Sequence, residues 1–181
     1  MKRDEALVLL AEHLKNKNLI KHCLSVEACM RALAVRLGHD PDPWGLAGIL
    51  HDLDYEVTEK SPEFHTTETV KILREKGIAE PVIHAVQAHA GKVPCESPID
   101  WAIYSVDPLT GLIIAATLMH PTKKIKSIDL EFVKRRYKEK SFAKGARREE
   151  IEKSSNLGLK LDEFLSIAIA AMQGIDGELG L

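Results

Sequence analysis

The sequence predicts an all-α protein. Ala, Leu, Ile, Glu and Lys are abundant, while aromatic residues make up only 5%, a balance that favours helices. Apolar residues recur at spacings of three and four, and no convincing run alternates as a half-buried strand would. With 181 residues, 45% hydrophobic and 29% charged, the chain is long enough for one domain with a core, and residues 1–181 are read as that domain.

The elements follow in order. Residues 4–15 carry Leu7, Leu10 and Leu14 on one stripe. Residues 20–37 repeat the pattern more strongly through His22, Val26, Met30, Leu33 and Leu37, and Gly38 ends the run. Asp42 is the expected cap of the next helix and Pro43 its first residue. Ser61-Pro62 repeats that start, and Gly77 closes the helix. Pro81 opens another that Gly91 closes. Ser97-Pro98 begins a longer one, with Asp100 completing a capping box. Segments 128–138, 144–153 and 157–173 also read as helices. The apolar "LKLDEFLSIAIAAM" can pack on its own domain or on a second subunit, so a homo-oligomer is open.

Bulk chemistry excludes several classes. The net charge is −2, so no global nucleic-acid signature is present. Residues 121–150 nonetheless hold eleven basic and five acidic side chains, a local balance of +6 against −8 elsewhere. Aromatics are sparse there, and nucleic acid is not the expected partner. The cysteines, Cys23, Cys29 and Cys95, are odd in number and lack a C-x-x-C pair. They read as reduced thiols in a cytoplasmic protein. The N-terminus lacks the pattern of a signal peptide. The most apolar stretch, 101–119, carries Asp107-Pro108 in its middle, so no membrane association is expected.

Function is written in the histidines. His22 opens the stripe of Val26, Met30 and Leu33. His51 shares a face with Trp44 and Gly48, and Asp52 follows it. His65 comes just after the Ser61 cap. His89 shares a face with Val82, Ala85 and Val86, whereas His84 points elsewhere. Asp107 stands before Pro108, which removes a helical hydrogen bond and is expected to bend the chain there. A carboxylate in so apolar a run needs a partner to tolerate burial. His22, His51, Asp52, His65, His89 and Asp107 therefore form an inward-pointing set. Imidazole with carboxylate suits Mn, Fe, Co or Zn. The set is large enough for one or two such ions, with Asp52 as the bridge.

The order His22, His51-Asp52, Asp107, in "IKHCLSVEACMRALA", "AGILHDLDYE" and "YSVDPLTGLI", resembles the HD superfamily of metal-dependent phosphohydrolases. The resemblance covers about residues 20–119. It implies an HD-domain helical bundle, followed here by a C-terminal helical extension over about 120–181, and a metal on His22, His51, Asp52 and Asp107. Two-metal members add histidines between the HD pair and the last aspartate, and His65 and His89 look like those. Many members read His-Asp-Ile-Gly-Lys. Here Tyr55 takes the lysine's place.

The resemblance implies a metal-activated water attacking a phosphorus atom, with a small phosphorylated substrate, a nucleotide first among them. Asp52 would act as bridge. Asp54 is a candidate proton acceptor or a support for the ligands. Lys144, Arg147 and Arg148 are candidates for holding phosphate in place of the missing lysine. A binding module that keeps the metal and senses a nucleotide without turnover is the alternative.

Overall fold

The computed structural model describes residues 1–181, which form helices and turns and no strand. Helix α1 (Arg3–His13) leads into α2 (Lys17–Leu37). The Asn16 side chain accepts the Asn18 amide to start α2, and Gly38, at φ 77°, ends it. Helix α3 (Pro41–Leu50) starts two residues before the expected point. Asp40, not Asp42, is the cap, accepting the Asp42 amide at 2.9 Å, and Pro43 fits within a first turn whose amides need no helical partner.

Helix α3 lies unusually close to α2. A Cβ on Gly48 would stand 2.8 Å from the Glu27 backbone. Only glycine permits that approach, and it brings the C-terminal end of α3 beside His22. Beside this close approach the buried Glu27 carboxylate is met by Arg3 of α1 and by Arg31 one turn further along α2.

After the short α4 (Tyr55–Thr58), the Ser61-Pro62 signal yields a single 3-10 turn, Pro62–Phe64, and not the expected helix. Helix α5 (Thr67–Glu75) begins only after Thr66, which sits at φ 71°. The cause is Asp54. Its carboxylate accepts the amides of Thr66, Glu68 and Thr69, each at 3.1 Å, and so caps α5 from outside the helix. Helix α6 (Glu80–His89) follows, then α7 (Pro98–Met119). Asp100 accepts the Ser97 amide at 2.9 Å at the start of α7, and the helix runs through Pro108 without ending.

By length and composition α7 matches a membrane-crossing helix. In this fold it is the central core helix, with Ile103, Val106, Leu109, Leu112 and Ile113 fully buried. The C-terminal extension packs on it. Helix α8 (Leu130–Lys138), the short α9 (Arg148–Ile151) with a 3-10 turn to Leu157, α10 (Leu161–Gln173) and α11 (Asp176–Leu179) complete the chain. Phe164, Leu165 and Met172 of α10 enter the same hydrophobic cluster as Val26 and Met30, so this helix packs on its own chain.

The helix expected over 144–153 shrinks to α9. Arg148 is the reason. Its guanidinium donates to the carbonyls of Tyr137, Phe142, Ala143 and Ala146 at 2.6–3.2 Å. The Tyr137 carbonyl lies at the end of α8, and the other three, in the loop after it, find their partner in a side chain and have no need of a helix.

Candidate metal centre

Four helices and one turn deliver the cluster. His22 lies in the second turn of α2. His51 is the C-terminal cap of α3 and Asp52 follows it. His89 is the last residue of α6, and Asp107 lies mid-way along α7. His65 comes from the turn before α5. The α3 and α6 termini that present His51 and His89 are C-terminal ends, where the peptide dipoles favour positive charge.

The six residues converge. His22 Nε2 is 3.3 Å from His51 Nε2 and 2.9 Å from Asp107 Oδ1. Asp52 Oδ2 lies 3.3 Å from His51 Nε2 and 3.7 Å from His22 Nε2. The other oxygen, Asp52 Oδ1, lies 3.2 Å from His65 Nε2 and 3.4 Å from His89 Nε2. His65 and His89 bring their Nε2 atoms within 3.2 Å of each other. Asp52 thus divides the cluster, each oxygen facing one pair of imidazoles.

The opposite ring nitrogens decide what those Nε2 atoms carry. His51 Nδ1–H donates to the Gly48 carbonyl and His89 Nδ1–H to that of Val86. His65 Nδ1–H donates to Asp54 Oδ1 at 2.9 Å. Thr110 Oγ1 donates to the Asp107 carbonyl at 3.0 Å, so it accepts from His22 Nδ1–H at 3.1 Å. Every imidazole therefore holds a proton on Nδ1 and turns Nε2 inward. Such outer hydrogen bonds fix ligand tautomers at metal sites. Inward lone pairs facing two carboxylates need a positive charge between them, and the donor set fits a divalent cation. His22, His51 and Asp107 form one group that could hold an ion; His51, Asp52 and His89 form another.

Charge balance agrees. Burial opposes ionisation of Asp52, but His51 and the hydrogen bonds of His65 and His89 hold its carboxyl well below the usual range. Burial likewise opposes ionisation of Asp107, and His22 outweighs it. Burial would lower the pKa of His65, yet Asp52 and Asp54 push it up to about 9. In the metal-free protein a proton on His65 Nε2 supplies part of the missing positive charge.

A cleft of about 730 Å³ opens onto the cluster, lined by His22, Asp52, His65, His89 and Asp107. Tyr55 lines it too, its ring edge-on to His65. The far wall comes from the C-terminal extension, through Gly145, Arg147 and Glu150. Of the basic candidates, Arg147 reaches this cleft. Lys144 is not among its lining residues, and Arg148 is engaged with the loop carbonyls, which corrects its assignment to phosphate. Asp54 is 2% exposed and faces α5 and His65, so its carboxylate supports that imidazole and is not an accessible proton acceptor.

Sequence spacing missed Thr110, which sits one turn after Asp107, and Glu150, whose side chain pairs with Arg147. His84 indeed points away, to Asp100 at 3.1 Å.

The HD domain family matches residues 19–117, more than half of the chain, and spans every residue of the cluster. The chain belongs to the HD domain family. As an HD domain protein it falls within a superfamily of metal-dependent phosphohydrolases. It is similar to Ribonuclease Y of Syntrophobacter fumaroxidans, 30% identical over 52% of this chain and 18% of that protein. Ribonuclease Y of Alkaliphilus metalliredigens is 29% identical over 74% of this chain and 29% of its own length. Ribonuclease Y of Sulfurovum sp. is 28% identical over 80% and 30%. This HD domain chain thus spans under a third of the length of these relatives. No solved structure matches it significantly.

Proposed function

We propose that this HD domain protein hydrolyses a phosphoester of a nucleotide or another small phosphorylated metabolite, using divalent cations held on either side of Asp52. His22, His51, Asp52 and Asp107 would hold one ion; His65, His89 and the other Asp52 oxygen would hold the second. The observation that carries this reading is the division of four inward Nε2 atoms between the two oxygens of one carboxylate. Such ions supply a nucleophilic water at neutral pH and offset charge on the phosphoryl oxygens. Mn, Fe, Co and Zn all suit the donors.

The chain's own groups do the rest. Gly48, Val86, Asp54 and Thr110 keep each imidazole in its ligating tautomer. Tyr55 stands at the cleft with its phenol pKa raised, first by burial and then by Asp52, so it stays protonated and offers an O–H to a phosphoryl oxygen. Arg147 presents a guanidinium from the far wall, steadied by Glu150.

The test is turnover. Purified protein is loaded with Mn, Fe, Co or Zn and offered a panel of mono- and diesters. Hydrolysis that disappears in Asp52→Ala supports the reading. Tight nucleotide binding with no turnover under any metal favours a sensor instead. Cleavage confined to RNA favours a second reading, a ribonuclease, toward which the names of the similar proteins point.

A further inference from the structure

A second cavity lies behind His65. It holds about 500 Å³, and His65 and Thr66 form its border with the histidine cluster. His65 is thus the partition between the two cavities, being a lining residue of both. Their charges are opposite. The main cleft carries Asp52, Asp107 and Glu150 against Arg147. The second carries Lys71, Arg74 and Lys92 against Glu75, and Val70 is its one hydrophobic residue. An acidic cleft requires cations before it can hold a phosphate. The basic one needs none.

The basic side chains are placed for anion binding. Lys71 and Arg74 are three residues apart on α5 and so share one face. Their acidic neighbours leave them available: Lys71 meets Glu68 at 3.4 Å and Arg74 meets Glu80 at 3.3 Å, single exposed contacts of the kind that bind weakly. Lys92 has a different task. Its ammonium donates to the carbonyls of Pro62 and Glu63, both at 2.9 Å, tying down the 3-10 turn just before His65. Val70 is the one hydrophobic side chain there, and no Phe, Tyr or Trp ring lines the cavity for a nucleobase to stack on. It suits a phosphate.

We infer that the cavity behind His65 is a second phosphate subsite, formed by Lys71 and Arg74, so that the substrate carries another phosphate beyond the one at the histidine cluster. This rests on the reading that the cluster holds the reacting phosphoryl group. The second phosphate can come from the next phosphodiester of an oligonucleotide or from the phosphate chain of a nucleotide.

The double variant Lys71→Ala/Arg74→Ala tests it, since both side chains are exposed and circular dichroism checks the fold. Bis-p-nitrophenyl phosphate, with one phosphate, is compared with a 5′-phosphorylated dinucleotide and with a nucleoside triphosphate. The expected result is a KM raised about tenfold or more for the dinucleotide or the triphosphate, with kcat held and the one-phosphate ester far less affected. The probe that responds identifies the source. An equal effect on all probes, or no effect, overturns the subsite. If the wild type turns over nothing, the proposed hydrolysis fails separately. Fluorescence anisotropy of labelled dinucleotide and labelled triphosphate then decides the subsite. Weakening by about tenfold in the variant supports it; unchanged binding, or none to the wild type, overturns it.

Discussion

His65 stands between two carboxylates, with Nε2 3.2 Å from Asp52 Oδ1 and Nδ1 2.9 Å from Asp54 Oδ1. One face of the ring looks to the candidate ions, and the other is anchored to the residue that caps α5. The cluster and the local fold are therefore coupled through a single imidazole. Replacing Asp54 with asparagine turns an NH2 group toward amide donors. Asp54→Asn should cost about 1–3 kcal/mol of stability and release metal from the His65 side before the His22 side. Thermal melts with and without Mn2+, together with metal content, check both effects.

Thr110 offers a cleaner probe of the other side. Its hydroxyl accepts from His22 Nδ1–H. Thr110→Val keeps the shape and removes the acceptor. Metal affinity should fall about 10–100-fold with the helical content intact, as read by calorimetric titration. An unchanged affinity would mean that His22 needs no such support.

Two adjacent arginines should behave differently. Arg147 lines the cleft, whereas Arg148 holds the carbonyls of the preceding loop. Arg147→Ala should raise KM several-fold with little change in melting temperature. Arg148→Ala leaves carbonyls unpaired and should lower the melting temperature by the equivalent of about 1–3 kcal/mol.

The pKa of His65, raised to about 9 from an ordinary 6.5, sets the pH behaviour of the metal-free protein. A raised folded-state value means stability that is fully present below about 6.5 and is lost as pH rises through about 9. Binding a cation must expel that proton. Metal uptake at pH 7 should release protons, seen as a buffer-dependent heat in calorimetry, and affinity should climb as pH rises toward 9. His65→Ala should remove much of this proton release.

Much of the fold and most of the cluster could be read from residues alone. Shared faces at helical spacing in α2, α3 and α6 turn His22, His51 and His89 inward. Long-range chemistry hid the rest. Nothing local announces that Asp54 reaches across twelve residues to hold the Thr66 amide, so the sequence places the helix too early, at Ser61-Pro62, and leaves Asp54 open as proton acceptor or support. Arg148 was misleading in the same way, because its partners are carbonyls, which a sequence does not distinguish from any others. The approach of α3 to α2 depends on Gly48, whose missing side chain leaves no periodic signal of its own.

Asp52 is proposed to divide two cation positions. Crystals soaked in Mn2+ and measured for anomalous scattering test it most directly. Two peaks are expected, one among His22, His51, Asp52 and Asp107 and one among Asp52, His65 and His89. The absence of any peak at these residues under saturating metal, or a lone peak away from Asp52, would contradict it.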